Sequence, residues 1–260
     1  MSEKHCALIT GSSSGIGLGI AEVFAQNGIQ VILHGLEPED QLKKIASHLS
    51  AKTKQDIDFI SLDLGNQSTL EKFFTEKMSR FQNVDILVNN AGIQHVSPIE
   101  TFPLDKWNLL LQLHLTVPFY LSRIFLPQLR QKKFGRIINI ASVHGMVASE
   151  NKSAYVSAKH GVIGLTKTIA LETAGSGVTC NAICPGWVRT PLVEAQIEAK
   201  AKDLGISIPD AAKELLREKQ PSLAFTETSD LGAMALFLCS DAARNLTGQS
   251  IALDGAWTAR

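Results

Sequence analysis

The sequence predicts an α/β fold, a doubly wound parallel sheet covered by helices on both faces, and three observations predict it. Short apolar runs alternate with longer amphipathic stretches of helical period. A glycine-rich turn, Thr10 to Gly17, stands between the first apolar run and the first helical pattern. No internal repeat, Pro/Ser-rich linker or low-complexity tract breaks the alternation, so residues 1–260 read as one domain.

Seven runs read as strands: 6–9, 30–34, 58–62, 86–88, 136–141, 178–183 and 251–253. Helical patterns fall between them, near 16–27, 39–50, 68–81, 105–131, 153–174 and 228–240. Strands separated by helices of this length imply right-handed βαβ units, with ligands bound at the carboxyl ends of the strands. One segment departs from the pattern. At about 191–226 two amphipathic helices, 192–202 and 209–219, follow each other without a strand between them, which predicts an inserted helical lid over the site.

Composition excludes several function classes. The 260 residues carry 25 Lys plus Arg against 25 Asp plus Glu, so no broad cationic field gathers nucleic acid or an anionic membrane surface. No uninterrupted apolar run approaches the ~20 residues of a membrane span. The first apolar run leads straight into Gly11, leaving no room for a targeting segment, and a cytoplasmic location is expected. The cysteines Cys6, Cys180, Cys184 and Cys239 lie mostly in apolar runs, as structural thiols do, and no Cys/His cluster has the spacing of a metal site.

Chemistry enters at Thr10-Gly11-Ser12-Ser13-Ser14-Gly15-Ile16-Gly17. Glycines there permit a tight turn and close backbone approach to a pyrophosphate, while free N–H groups at the helix start attract its charge. The second strand ends Leu33-His34-Gly35-Leu36-Glu37-Pro38-Glu39-Asp40. It offers no Arg or Lys to a 2′-phosphate and three acids that repel one, which favours NAD over NADP. Glu37 is expected to be an exposed loop residue, with reach to a ribose diol as the alternative.

The spacing G-x-x-x-G-x-G resembles that of the short-chain dehydrogenase/reductase family. So do Asn89-Asn90-Ala91-Gly92, Ser142, Tyr155-Val156-Ser157-Ala158-Lys159 and Pro185-Gly186, each in family order over essentially the whole chain. The resemblance implies a seven-stranded Rossmann-type sheet, hydride exchange with a nicotinamide cofactor and a homotetramer. It also assigns cofactor contacts to Thr10, Gly11, Ser13, Gly15, Ile16, Gly17, Leu36, Asp63, Leu64, Asn90, Gly92, Tyr155, Lys159, Pro185, Gly186, Val188 and Thr190.

Tyr155 and Lys159 are four residues apart in a helical stretch, so their side chains share a face. An ammonium there is expected to lower the phenol from its ordinary pKa of ~10 and make it an acid-base group, with Ser142 bonding the same substrate oxygen. The resemblance gives the family's proton relay an Asn where this chain has His114. His114 is then either a relay group or a buried structural histidine.

Gln94, His144, Lys152 and Gln196 surround this region, and a lysine, an imidazole and amides can hold a small carboxylate without any global charge. The stretches around them, with Pro185 to Val193 and the ending Asp254 to Arg260, resemble a branch of the family that oxidises (R)-3-hydroxybutyrate to acetoacetate with NAD. By that resemblance the four polar residues hold the carboxylate and Trp187 and Trp257 wall the methyl end. Both tryptophans have packing or subunit contact as alternatives. Two other readings stay open: a 3-oxoacyl-thioester reductase of the same family, and a catalytically silent nucleotide-binding sensor.

Overall fold

A computed structural model describes residues 5–259. Arg260, the last residue of the ending quoted above, lies outside them. The strands are β1 (Cys6–Ile9), β2 (Gln30–Gly35), β3 (Ile57–Ser61), β4 (Val84–Asn89), β5 (Gly135–Ile140), β6 (Val178–Pro185) and β7 (Ser250–Leu253), each within three residues of its expected bounds. They pair in parallel in the order β3-β2-β1-β4-β5-β6-β7. Strands buried on both faces need no polar alternation, and β1, β4, β5 and β6 are buried along their whole length.

One face of the sheet is covered by α1 (Gly15–Gln26) and α2 (Glu39–Thr53), together with α9 (Thr228–Cys239), whose Leu231 and Leu238 join Ile20 and Phe24 of α1 in one apolar cluster. The other face takes α3 (Gln67–Lys77), α5 (Val117–Lys132) and α6 (Ser153–Glu172), where Phe74, Phe81 and Phe125 meet edge to face or tilted. The sequence order reverses at β1, between β2 and β4, and a crevice opens there at the carboxyl ends of the strands.

The single helix expected at 105–131 is more complex. It runs as α4 (Leu104–Leu111), a wide π turn over Gln112–Thr116, and α5. A π turn inserts one residue into the helical ladder, and here the residue turned inward is His114, 5% exposed. The whole run Leu104–Lys132 is long and apolar enough to cross a membrane by length and composition, contrary to the expectation that no segment is. In this fold Val117, Leu121, Phe125 and Leu129 of that run are buried in the core.

Between β6 and α9 stand α7 (Pro191–Leu204) and α8 (Ile208–Lys219). Thr190 and Ser207 cap their N-termini with side-chain oxygens, each followed by proline in the first turn, and Gly205 ends α7 in the left-handed region at φ +64°. Their own cluster, with Val193, Ile197, Ala211 and Leu215, is separate from the two sheet cores. Trp187 and Phe225 are the partly buried apolar residues from outside the pair that pack against it among the described residues.

Candidate active site

The crevice holds a cavity of about 630 Å³ that runs from Leu36 and Asp63 at one end to Gln196 and Trp257 at the other. Every residue assigned above to catalysis, cofactor or substrate lines it except Thr10 and Gly17. Those two act from behind. The Thr10 hydroxyl donates to Val88 O and accepts the N–H groups of Asn90 and Ala91 at 2.9 and 3.0 Å, and Asn90 Nδ2 donates to the carbonyls of Thr10 and Gly11, both at 2.9 Å. A Cβ at Gly17 would overlap Gly11 O.

The turn itself needs Gly11. Its φ is +62°, and a Cβ there would stand 2.8 Å from Ala91 Cα. The α1 N-terminus carries no side-chain cap and no acid in its first turn, and the first helical N–H to find a backbone carbonyl is that of Leu18. The N–H groups before it are therefore free for an anion, as a dinucleotide pyrophosphate requires.

At the Leu36 end of the cavity one residue departs from its expected setting and another carries an unexpected contact. Glu37 is not an exposed loop residue. Gly35 leaves room for its side chain to fold back, and carboxylate Oε2 is buried there without a hydrogen-bond partner. His34 is 3% exposed and bridges strand ends: the Gly11 N–H donates to Nδ1 and Nε2 donates to Leu62 O, both at 2.9 Å. Burial lowers its pKa to about 4, so the ring is neutral. A lone histidine inside an apolar strand carries no sequence signal for such a bridge.

At the chemical end, Ser142 follows β5 and Tyr155 and Lys159 lie on α6. Lys159 is 5% exposed, donates from Nζ to Ile140 O at 2.7 Å, and lies 5.5 Å from the Tyr155 ring centroid. Burial pushes the Lys159 ammonium down to about 7. The expected lowering of Tyr155 by Lys159 is not what the protein's own groups produce. Burial raises the phenol above its ordinary value, and the Ser142 hydroxyl is the group that opposes the rise. A low-polarity pocket resists charge on either member of the pair.

His114 stacks edge to face on Tyr155, with ring centroids 5.1 Å apart. Its Nε2 lies 2.7 Å from Ile93 O and 3.2 Å from Ile93 N, so the ring grips the loop that carries Gln94. Protonated Nε2 donates to the carbonyl and leaves Nδ1 as a buried acceptor without a partner. Burial and the Lys159 charge lower its pKa to about 3.

Beyond Tyr155 the aromatic rings form a wall. His144 meets Tyr155 at 6.0 Å and Trp257 at 5.5 Å, and Trp257 meets Trp187 at 5.9 Å between centroids. Lys152, at the start of α6, places Nζ 5.8 Å from the Trp187 ring centroid. His144 Nδ1 is 3.4 Å from Ser142 Oγ, and its buried Nε2 has no partner. Burial, then the charges of Lys152 and Lys219, lower His144 to about 4. Burial and Lys219 also lower Lys152. Lys219, at the end of α8, is thus a third cation acting on this end, one that sequence spacing does not connect to it. Gln94 and Gln196 line the same cavity.

Among the described residues no cluster of His, Cys, Asp and Glu is placed to hold a metal, and all four cysteines are free and buried.

Comparisons with known proteins agree with this geometry. The profile of the short chain dehydrogenase family matches residues 5–201. D-beta-hydroxybutyrate dehydrogenase of Cupriavidus necator is 49% identical over 254 residues, 98% of each chain, and the protein of that name from Rhizobium meliloti is 42% identical over the same share. L-sorbose reductase from Gluconobacter frateurii, solved with NADPH and L-sorbose, superposes with a TM-score of 0.92 at 29% identity, covering 98% of this chain and 97% of that one. With the parallel sheet, the glycine turn and the Ser142, Tyr155 and Lys159 constellation in one cavity, the chain belongs to the short chain dehydrogenase family and is an oxidoreductase built for a nicotinamide cofactor.

Proposed function

We propose that the protein interconverts (R)-3-hydroxybutyrate and acetoacetate with NAD. The observation that carries this reading is one lysine, one neutral histidine and two indole rings gathered beside Ser142 and Tyr155. A short 3-hydroxy acid has a charged end, a methyl end and a hydroxyl between them, and this end of the cavity offers a complement to each. The relatives from C. necator and R. meliloti bear the name of this activity, which supports the same substrate.

Lys152 supplies the positive charge for the carboxylate, with Gln94, His144 and Gln196 as hydrogen-bonding partners. When the Ser142 hydroxyl donates to His144 Nδ1, the ring carries its proton on Nε2, the orphaned atom, and becomes a neutral donor. Trp187 and Trp257 bound the methyl end. In the oxidative direction Tyr155 takes the hydroxyl proton and Ser142 orients the same oxygen. Lys159 is the cation beside the phenolate, which offsets the cost of charging a buried phenol. His114 stays neutral, holds the Ile93 loop through Nε2, and offers Nδ1 as a hydrogen-bond acceptor that orients a donor without taking its proton.

NAD supplies the hydride acceptor when bound. Gly11, Ser13, Gly15 and Ile16 meet its pyrophosphate, Leu36, Asp63 and Leu64 its adenine end, and Asn90, Gly92, Pro185, Gly186, Val188 and Thr190 its nicotinamide end. Thr10 and Gly17 hold the turn from behind. The orphaned Glu37 Oε2 fits a ribose diol and repels a 2′-phosphate, which favours NAD over NADP. Helices α7 and α8 form a lid, reaching the cavity through Leu192 and Gln196.

We place the protein in the cytoplasm, a reading supported by its four free buried thiols. We further propose a homotetramer, supported by exposed Phe119 and Leu171, 51% and 80% accessible, on the neighbouring helices α5 and α6. The test of function is turnover of (R)- and (S)-3-hydroxybutyrate with NAD and NADP. Reduction of NAD by the (R) acid alone is expected, and no turnover of that pair overturns the reading.

A further inference from the structure

Gln220 follows directly on α8, in a stretch whose neighbours on both sides are exposed, yet it is 1% exposed. A buried amide needs partners. Its Oε1 accepts the Trp187 N–H at 2.8 Å, and its Nε2 donates to Ala224 O. The side chain is wedged between two backbones: a Cβ at Gly186 would lie 2.6 Å from Gln220 Oε1, and one at Gly255 would lie 2.7 Å from Gln220 Cγ. Gly186 precedes Trp187, and Gly255 lies two residues before Trp257.

The segment after Gln220 strengthens the same junction. The Ser222 N–H donates to Gly255 O at 3.0 Å, the Thr226 N–H to Trp187 O at 2.9 Å, and the Thr226 hydroxyl to Leu253 O at 3.2 Å. Lys219, whose charge acts on both His144 and Lys152, is the residue before Gln220. One amide therefore sits where α8, the strand end bearing Trp187 and the C-terminal turn bearing Trp257 converge. No other described side chain hydrogen-bonds the backbone of Trp187.

We infer that Gln220 is the positioning residue of the substrate wall, latching the end of the lid to the backbone of Trp187 and packing against the turn of Trp257. Its amide fixes the spacing of the two indoles. It touches no reacting atom, and its side-chain hydrogen bonds go to Trp187 and Ala224; Gly186, against which it packs, is its one neighbour at the nicotinamide end, so its loss acts more on the hydroxy acid than on the dinucleotide. The substrate part of this inference rests on the function proposed above.

The test uses the full chain with Gln220→Met, which keeps length and removes both polar atoms, and Gln220→Glu, which keeps the acceptor for the Trp187 N–H. Gln220→Met is expected to raise KM for (R)-3-hydroxybutyrate at least tenfold, with KM for NAD within twofold of the parent. Gln220→Glu is expected to recover part of that loss. A second readout needs no substrate. In a Trp107→Phe background the two remaining tryptophans are those of the wall, and Gln220→Met is expected to shift their fluorescence maximum to longer wavelength as they gain water. Should Gln220→Met fail to fold, Gln220→Glu in the same background carries the test, because its lost Nε2 donor alone is then expected to raise the acid KM and shift the emission. Equal changes in both KM values, or an unchanged emission maximum with an unchanged acid KM, overturn the inference. Absence of turnover in the parent would instead overturn the proposed substrate and leave the fluorescence test standing.

Discussion

The Gly11 N–H donates to His34 Nδ1 at 2.9 Å, so an imidazole joins the Ser12 N–H to His34 O bond in tying the first turn of the cofactor crevice to the end of β2. A backbone N–H only donates and the Leu62 carbonyl only accepts, which fixes the tautomer with the proton on Nε2. His34→Ala leaves the buried Leu62 carbonyl without that partner, at a cost of about 1–3 kcal/mol, and frees the half-buried Gly11 N–H. The expected outcome is a lower Tm together with at least fivefold weaker NADH binding in a fluorescence titration. Unchanged NADH affinity would show that the bridge does not shape the crevice.

Three buried histidines predict the acid limb of stability. His34, His114 and His144 have pKa values lowered by burial to about 4, about 3 and about 4. The unfolded chain binds protons on them near pH ~6.5 and the folded chain does not, so stability is held above that pH and lost as the pH falls toward the folded values. Each histidine contributes a slope approaching about 1.4 kcal/mol per pH unit in that window. Denaturant titrations at pH 7, 6 and 5 should show unfolding free energy falling at each step, and a flat profile would contradict neutral burial of the three rings.

The proposed preference for NAD puts the choice of cofactor on Glu37. Glu37→Arg replaces an orphaned carboxylate with a group that pairs a 2′-phosphate. The ratio of kcat/KM for NAD over NADP should fall at least tenfold, measured with the same hydroxy acid. An unchanged ratio would remove Glu37 from the ribose end.

The proposed function makes Lys152 the cation that meets the carboxylate. A charge-assisted hydrogen bond to a carboxylate contributes about 1.5–3 kcal/mol, or roughly ten- to a hundredfold in affinity. Lys152→Ala should raise KM for the acid by that factor and leave KM for NAD within twofold. Equal effects on the two constants would point to a general structural role.

Much of this was legible in the sequence, because parallel sheets write themselves as apolar runs and a phosphate-binding turn writes itself in glycine. The strands and the paired helices after β6 follow from local signals, and most of the cavity lining follows from the family resemblance, whereas the order of the strands is seen only in the structure. What escaped is tertiary. The π turn that swings His114 inward has no periodic signature. Glu37 Oε2 is buried because Gly35 lets the side chain fold back, and His34 and Gln220 look like ordinary strand and loop residues until neighbouring backbones converge on each. The direction of the Tyr155 shift was misread for the same reason: the spacing of Tyr155 and Lys159 is visible in sequence, whereas the burial that dominates both groups is not.

The central claim, that Tyr155 serves as the acid-base group for oxidation of (R)-3-hydroxybutyrate, is tested most directly by kcat/KM for that acid with NAD in the parent and in Tyr155→Phe. General acid-base catalysis is worth about 10²–10⁴-fold, so the variant should lose at least a hundredfold while still binding NADH. A Tyr155→Phe protein that keeps the parent's rate would contradict the account.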